Sequence, residues 1–215
     1  MKQYIEIKRA LGQKQFILKN GNKKMKQSTY EEKRERMIEI YKELKNCKKC
    51  PLYKTRTKFV IGAGNVDADI VFIGEAPGKN EDLQGLPFVG RAGNLLSSYL
   101  NGIGLNRKDV FITNIVKCRP PGNRDPIEEE INACFPYLKE QIEIIEPKII
   151  VTLGRYSLKT LLGREVRIMQ ERGNIIDFNG VMLLPMLHPA AVLRNGNLDE
   201  KMRNDFKLLK EVIER

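Results

Sequence analysis

A chain of 215 residues with 41% hydrophobic content is long enough to form one compact domain with its own core. No segment approaches the roughly 18 consecutive apolar residues of a membrane span, and residues 1–12 lack the apolar run of a signal peptide. The sequence therefore argues against a membrane or secreted protein, and we expect a cytoplasmic location without membrane partners.

The net charge of +11 is unevenly distributed along the chain. Residues 1–58 contain 18 Lys and Arg but only 6 Asp and Glu, whereas the rest contains 20 basic and 21 acidic residues. Such an excess favours a polyanionic partner, because each phosphate that a basic side chain neutralises releases counterions. The alternative is an extension that only improves solubility. We expect residues 1–28 to form a basic, weakly ordered N-terminal extension and residues 29–215 to form the folded domain.

Apolar β-rich runs alternate with helical patterns from residue 30 onwards, which predicts an α/β fold with a mainly parallel sheet. Strands are expected at 69–73, 110–116, 148–153 and 181–187, with a hairpin arm at 175–178. Helices are expected at 30–44, 92–100, 125–145, 155–162 and 198–214.

Local signals mark several of these boundaries. Ser28 or Thr29 is a suitable N-cap for the first helix. Asp125-Pro126 predicts a helix start, and Pro136 lies within that helical pattern. Asn179-Gly180 predicts a tight hairpin turn.

Polar segments follow three of the predicted strands, at 74–78, 114–119 and 188–194. In parallel sheets, ligands bind beyond the carboxyl ends of the strands, where the connecting loops meet. We therefore expect these three segments to converge on one site.

The four cysteines form a second candidate site. Two residues separate Cys47 from Cys50 in the chain, and Cys118 and Cys134 follow at longer intervals. Four thiols in a chain without a secretion signal suit either zinc or a 4Fe-4S cluster, and the spacing alone leaves both open. The alternative is a redox-active Cys47–Cys50 pair with two ordinary buried cysteines.

The loop residues narrow the chemistry further. The segment at 74–78, GEAPG, lacks the spacing of dinucleotide-binding and P-loop motifs, so nucleoside triphosphate binding is disfavoured. Phe88 lies in a predicted loop, where it contacts either a ligand or the core. His188 is the single histidine and lies at a predicted strand end, at the same rim of the sheet as Glu75 and Asn114, which favours a functional role.

These segments carry a family resemblance. GEAPGKNEDLQGLPFVGRAG (74–93), TNIVKCRP (113–120) and HPAAVLR (188–194) resemble the motifs of family 4 uracil-DNA glycosylases, and the four cysteines match that family's cluster ligands in order. The resemblance covers residues 35–210. It implies a three-layer α/β sandwich with a central, mainly parallel four-stranded sheet, excision of uracil from DNA, and a structural 4Fe-4S cluster at Cys47, Cys50, Cys118 and Cys134 in preference to zinc.

The resemblance also implies how a flipped base is bound. Phe88 is similar to the residue that stacks on uracil, and Asn114 to the one whose amide reads its Watson–Crick edge. An amide pairs with both O4 and N3 of uracil, whereas cytosine reverses that pattern. Glu81 resembles the residue near C5, where it would disfavour the methyl group of thymine, and Ala76 lies in the same substrate-binding motif.

Three residues resemble the family's catalytic set. Glu75 corresponds to the acid that holds the water and opposes positive charge on the sugar, and His188 to the histidine that bonds uracil O2. Asn114 completes the set. Breaking an N-glycosidic bond leaves an anionic base and a cation-like sugar, so donors at the base and a carboxylate near the sugar are useful together.

Residues beyond the histidine suit contact with the DNA itself. Val192 and Leu193 are candidates for the apolar wedge that holds the duplex open, and Arg194 for a phosphate contact. Relatives in the wider superfamily commonly have a leucine where this chain has Val192, so the choice between Val192 and Leu193 stays open.

The resulting expectation is a monomeric, nucleoid-associated base-excision enzyme that acts on uracil-containing DNA, with a sliding clamp or another replication or repair protein as a further partner. The alternatives are a non-catalytic nucleic-acid-binding module organised by a metal or cluster, and a glycosylase that accepts other deaminated bases.

Overall fold

The computed structural model describes residues 28–214, in which six strands form one sheet. The strands are β1 (Ala63–Gly64), β2 (Ile70–Gly74), β3 (Phe111–Asn114), β4 (Ile149–Leu153), β5 (Ile176–Phe178) and β6 (Val181–Met186). Their order across the sheet is β1-β3-β2-β4-β6-β5. The four central strands β3, β2, β4 and β6 are parallel, and the two edge strands are antiparallel to their neighbours.

The mainly parallel α/β sheet is confirmed, but the predicted number of four strands is wrong. The four predicted strands form the parallel centre, and the hairpin arm at 175–178 joins them as β5. β1 was not predicted, because a strand of two residues is too short to show an alternating pattern. β3 is also shorter than the predicted strand 110–116. Beyond Asn114, the amides of Ile115 and Val116 bond to the carbonyls of Gly74 and Glu75 instead of continuing the ladder.

Helices connect the strands and cover the sheet. They are α1 (Tyr30–Lys45), α2 (Lys79–Gln84), α3 (Arg91–Gly102), α4 (Glu128–Ile145), α5 (Arg155–Leu162), α6 (Ile168–Glu171), α7 (Pro189–Arg194) and α8 (Asp199–Ile213), with short 3₁₀ turns at Pro51–Lys54, Pro121–Asn123 and Gly196–Leu198. Within residues 28–214, none of these helices has the length and apolar character needed to cross a membrane.

The helix boundaries test the predicted caps. Thr29 is the N-cap of α1, and its side chain and that of Glu32 form a reciprocal capping box. The predicted start of α4 at Asp125-Pro126 is wrong, because the helix begins at Glu128 and the carboxylate of Asp125 accepts a hydrogen bond from Tyr156 instead. Pro136 lies inside α4 without ending it.

Alternate residues of the strands point to opposite faces of the sheet, which gives three layers. Val71 and Ile73 of β2 belong to a core shared with helices α1, α4 and α5, whereas Ile70 and Phe72 belong to a core shared with α3 and α8. This arrangement is the expected three-layer sandwich. Residues 1–27 lie outside the described residues, so the division into a basic extension and a folded domain stays a prediction.

Candidate active site

A cavity of about 550 Å³ opens at the carboxyl ends of the four parallel strands. We call it the strand-end cavity. The structure brings all three predicted polar segments to it, because Gly74 pairs with Asn114 at the ends of β2 and β3, and the amide of Gly154 bonds to the carbonyl of Met186 at the ends of β4 and β6. Its lining includes Glu75, Ala76, Pro77, Gly78, Glu81, Phe88, Asn114, Gly154, Arg155, Tyr156, His188 and Arg194.

His188 lies at one wall of this cavity as the N-cap of α7. Its Nδ1 accepts a hydrogen bond from the amide of Ala190 over 3.1 Å. Burial, assisted by the charge of Arg194, lowers the pKa of His188 to about 4, so the ring is neutral at pH 7. A neutral imidazole has one N–H, and because Nδ1 is the acceptor, the hydrogen is on Nε2. His188 is therefore a fixed hydrogen-bond donor.

Asn114 presents an amide at the end of β3. The residue is 1% exposed, and among the described residues its Oδ1 has no hydrogen-bond partner. A buried polar atom without a partner costs about 1–3 kcal/mol, which marks the position as one that a ligand completes. Gly74 allows this placement, because a Cβ there would lie 2.4 Å from Asn114 Oδ1.

Phe88 forms the aromatic wall of the cavity and is also part of the core between the sheet and α3. The centroid of its ring lies 5.6 Å from that of His188. Its backbone has φ 52°, in the left-handed region, which costs about 1–2 kcal/mol for a residue with a Cβ. Phe88 therefore both packs in the core and lines the cavity.

Glu75 supplies a half-buried carboxyl group at the end of β2. Burial raises its pKa to about 7, the charge of Asp125 adds to this effect, and the charge of Arg155 opposes it. Near neutral pH this group exchanges its proton readily, which suits a role in handling water.

Glu81 lines the cavity, but its carboxylate is already engaged with the protein. Oε1 accepts hydrogen bonds from the amides of Val89 and Gly90, each over 2.9 Å. The side chain therefore holds the loop that carries Phe88, in addition to any contact with a ligand. Ala76 lies beside Glu75 in the same lining.

The residues of α7 divide into a buried and an exposed set. Val192 is 6% exposed and packs in the core, whereas Leu193 is 40% exposed at the surface. Arg194 is exposed at the mouth of the strand-end cavity. Only Leu193 of the two apolar candidates is free to enter a partner without unfolding the helix.

All four cysteines line a second, narrow cavity, which we call the cysteine cavity. Cys47 and Cys50 lie between α1 and the first 3₁₀ turn, Cys118 follows β3, and Cys134 is on α4. Hydrogen-bond donors point at two of the sulfurs. Arg56 Nη1 lies 3.1 Å from Cys118 Sγ, and the amide of Lys117 lies 3.2 Å from Cys134 Sγ.

Lys117 joins the two cavities. Its ammonium is fully buried and donates to Thr113 Oγ1 over 2.7 Å, to the carbonyl of Asn114 over 2.8 Å and to Gln141 Oε1 over 2.6 Å. These acceptors satisfy all three N–H groups of the protonated form, while burial lowers the pKa of Lys117 to about 7. The segment from Asn114 to Cys118 is thereby fixed between the sheet and α4.

Several residues of the strand-end cavity carry no motif that identifies them in the sequence. Asp125, Arg155 and Tyr156 lie together there, with Asp125 bonded to Tyr156 and the Arg155 guanidinium 4.6 Å from the Tyr156 ring centroid. Arg155 and Tyr156 follow β4, whose carboxyl end lies at the same edge of the sheet as the other three. That position is a signal that would have predicted them.

Comparison with known proteins agrees with this geometry. A family model described as the Uracil DNA glycosylase superfamily matches residues 61–212. The type-4 uracil-DNA glycosylase of Saccharolobus solfataricus is 49% identical over 183 residues, which cover 81% of this chain and 85% of that protein. The type-4 enzyme of Archaeoglobus fulgidus is 45% identical, covering 83% and 94%. That of Thermotoga maritima is 50% identical, covering 75% and 86%. The chain therefore belongs to the type-4 uracil-DNA glycosylases of the uracil DNA glycosylase superfamily.

Proposed function

We propose that this chain hydrolyses the N-glycosidic bond of a flipped-out deoxyuridine in DNA, releasing uracil and leaving an abasic site. The observation that carries the assignment is the neutral His188, whose Nδ1 is occupied by the amide of Ala190 and whose Nε2–H is left to bond uracil O2. As the bond breaks, negative charge develops on the base. A fixed donor at that oxygen stabilises the transition state more than the ground state.

Other residues that line the strand-end cavity recognise the base. The amide of Asn114 accepts from N3–H of uracil through the unpartnered Oδ1 and donates to O4 through Nδ2. Phe88 stacks on the base from one side, close to His188. Glu81 lies near C5, and Ala76 lies at the edge of the same pocket.

Glu75 acts on the sugar side of the bond. As a carboxylate it opposes the positive charge on the sugar and holds the water that attacks it. Its pKa of about 7 means that this form increases in population as the pH rises through neutrality. No covalent intermediate with the protein is required, so the reaction ends at the abasic site.

The exposed residues of α7 form the surface that contacts DNA. Leu193 is the wedge that enters the duplex where the uracil leaves, because it is exposed and Val192 is buried. Arg194 contacts a phosphate at the cavity mouth. A monomeric state, a nucleoid-associated cytoplasmic location and a sliding-clamp or other repair partner stay predictions.

The cysteine cavity fits a 4Fe-4S cluster held by Cys47, Cys50, Cys118 and Cys134. Four thiols share the cavity, and two sulfurs already accept hydrogen bonds, as thiolates of such clusters do. Zinc held by the same four thiolates is the less favoured alternative. When bound, the cluster cross-links α1, the segment after β3 and α4. Catalysis is left to the strand-end cavity.

The test is incubation with a duplex containing one uracil, followed by alkali, which cleaves the strand at abasic sites. We expect scission at the uracil, and none in matched duplexes that carry thymine there. A third duplex with hypoxanthine tests the alternative of broader base choice, because scission there would show it. Tight binding to uracil-containing DNA without scission would instead support a non-catalytic module.

A further inference from the structure

Arg107 lies outside all the segments that supply the strand-end cavity, yet its guanidinium reaches the loop that carries Phe88. Nη1 donates to the carbonyl of Phe88 over 3.1 Å, and Nη2 donates to the carbonyl of Pro87 over 2.7 Å. The side chain is half-buried. A partly desolvated cation is favourable only where its hydrogen bonds compensate for lost water, and here both bonds go to adjacent backbone carbonyls.

The loop that Arg107 holds is in a strained and closely packed conformation. Phe88 has φ 52°, and a Cβ at Gly93 would lie 1.7 Å from the Phe88 carbonyl oxygen. A Cβ at Gly74 would lie 2.7 Å from Phe88 Cζ. A left-handed conformation at a residue with a large side chain persists only where several contacts impose it.

Glu81 holds the same loop from the amide side. Its Oε1 accepts from the amides of Val89 and Gly90, each over 2.9 Å, while Arg107 donates to the carbonyls of Pro87 and Phe88. Four consecutive residues of the loop are therefore each bonded to one of two oppositely charged side chains. Neither side chain is adjacent to the loop in sequence.

We propose that Arg107 is a positioning residue that, together with Glu81, fixes Phe88 in the conformation that stacks on the flipped uracil. The inference rests on the proposed function, in which Phe88 provides that stacking surface. Arg107 acts only through the loop and does not touch the base. Its loss frees the backbone of Phe88 to leave the left-handed region, and the ring then no longer covers the base.

The experiment is a double-mutant cycle on single-turnover uracil excision, with Arg107→Ala and Phe88→Ala. We expect Arg107→Ala alone to slow excision about tenfold and to weaken inhibition by free uracil to a similar extent. In the Phe88→Ala background the same change should cost less than twofold. Arg107→Lys, which keeps the charge and can bond one carbonyl, should recover part of the rate. Lys108→Ala removes one positive charge from the same turn and should leave the rate unchanged.

A loss of equal size in both backgrounds would overturn the proposal, because Arg107 would then act on stability or on DNA independently of Phe88. An unchanged rate in Arg107→Ala would overturn it as well.

Hydrogen exchange of residues 86–90 gives a readout that does not require activity. Exchange should accelerate in Arg107→Ala and not in Lys108→Ala, and equal exchange in both would contradict the proposal. If the wild type fails to excise uracil but this exchange difference is found, the proposed function fails while the positioning of the loop stands.

Discussion

The strand-end cavity and the cysteine cavity are joined by the short segment from Asn114 to Cys118, but their polar groups are in opposite states. In the strand-end cavity, Asn114 Oδ1 is buried and lacks a partner among the residues described, and Phe88 is held in a strained conformation. In the cysteine cavity, Arg56 and the amide of Lys117 already point at sulfur atoms. The first arrangement suits a ligand that binds and is released, and the second suits the permanently bound cluster proposed above.

The largest effect should come from removing the groups that contact uracil. His188→Ala and Asn114→Ala each remove a proposed hydrogen bond to uracil that would strengthen as charge develops on the base, so each should slow single-turnover excision about 10²–10³-fold. Affinity for an undamaged duplex should be nearly unchanged, because both side chains line the strand-end cavity, which an undamaged duplex does not fill with a flipped base. Equal losses of excision and duplex affinity would assign these residues a structural role and break the contrast between the two cavities.

Replacing a cysteine should affect stability before chemistry. Cys118→Ser removes one ligand of the proposed cluster, and we expect visible absorbance near 400 nm to fall. Loss of a cross-link of this kind costs about 2–5 kcal/mol, which lowers the Tm of a chain of this size by about 4–20 °C. Thermal unfolding and metal analysis measure both effects. A colourless wild type with stoichiometric zinc would refute the cluster.

The pH dependence of excision distinguishes Glu75 from His188. The pKa of Glu75 is raised to about 7 and that of His188 is lowered to about 4, so the rate should rise with pH through about 7, with no limb near 6.5 from the histidine. Asp125→Asn removes a negative charge near Glu75, and we expect the midpoint of the rise to move to lower pH. A midpoint that does not move would exclude coupling between these carboxyl groups.

The raised pKa of Glu75 also makes the stability of the fold depend on pH. Because the folded-state pKa of Glu75 is above its unfolded value of 4.5, its contribution to stability is present at low pH and is lost as the pH rises through about 7. Glu75→Gln should therefore gain Tm relative to the wild type between pH 5 and pH 8.

The smallest effects should separate the two apolar residues of α7. Leu193→Ala should slow excision from a duplex about threefold to tenfold and leave excision from a single strand nearly unchanged, because only the duplex needs a wedge. Val192→Ala should instead lower the free energy of unfolding by about 1–3 kcal/mol, since it leaves a gap in the core. The reverse pattern would make Val192 the wedge.

The sequence predicts those parts of this molecule that depend on local patterns. The N-cap at Thr29, the end of α5 at Leu162 and the hairpin turn at Asn179-Gly180 follow from residues within a few positions of one another. The convergence of three segments on one cavity follows equally, because the ends of parallel strands share one edge of the sheet.

Features that depend on distant contacts were not predictable. Asp125 is a residue type that commonly caps helices. Its carboxylate instead accepts a hydrogen bond from Tyr156, which follows a different strand. Arg107 forms hydrogen bonds with a loop about twenty residues earlier in the chain, and no periodic pattern in the sequence predicts such a contact. Val192 is buried and the neighbouring Leu193 is exposed because of the way α7 is oriented against the core, which the local sequence does not determine.

The most direct test of the account is single-turnover uracil excision by His188→Ala and Cys118→Ser on the same duplex, at a temperature where both are folded. We expect His188→Ala to keep the absorbance near 400 nm and to lose excision about 10²–10³-fold. Cys118→Ser should lose that absorbance and keep excision within a few-fold of the wild type. Loss of excision in Cys118→Ser with full activity in His188→Ala would contradict the account, because the chemistry would then depend on the cysteine cavity.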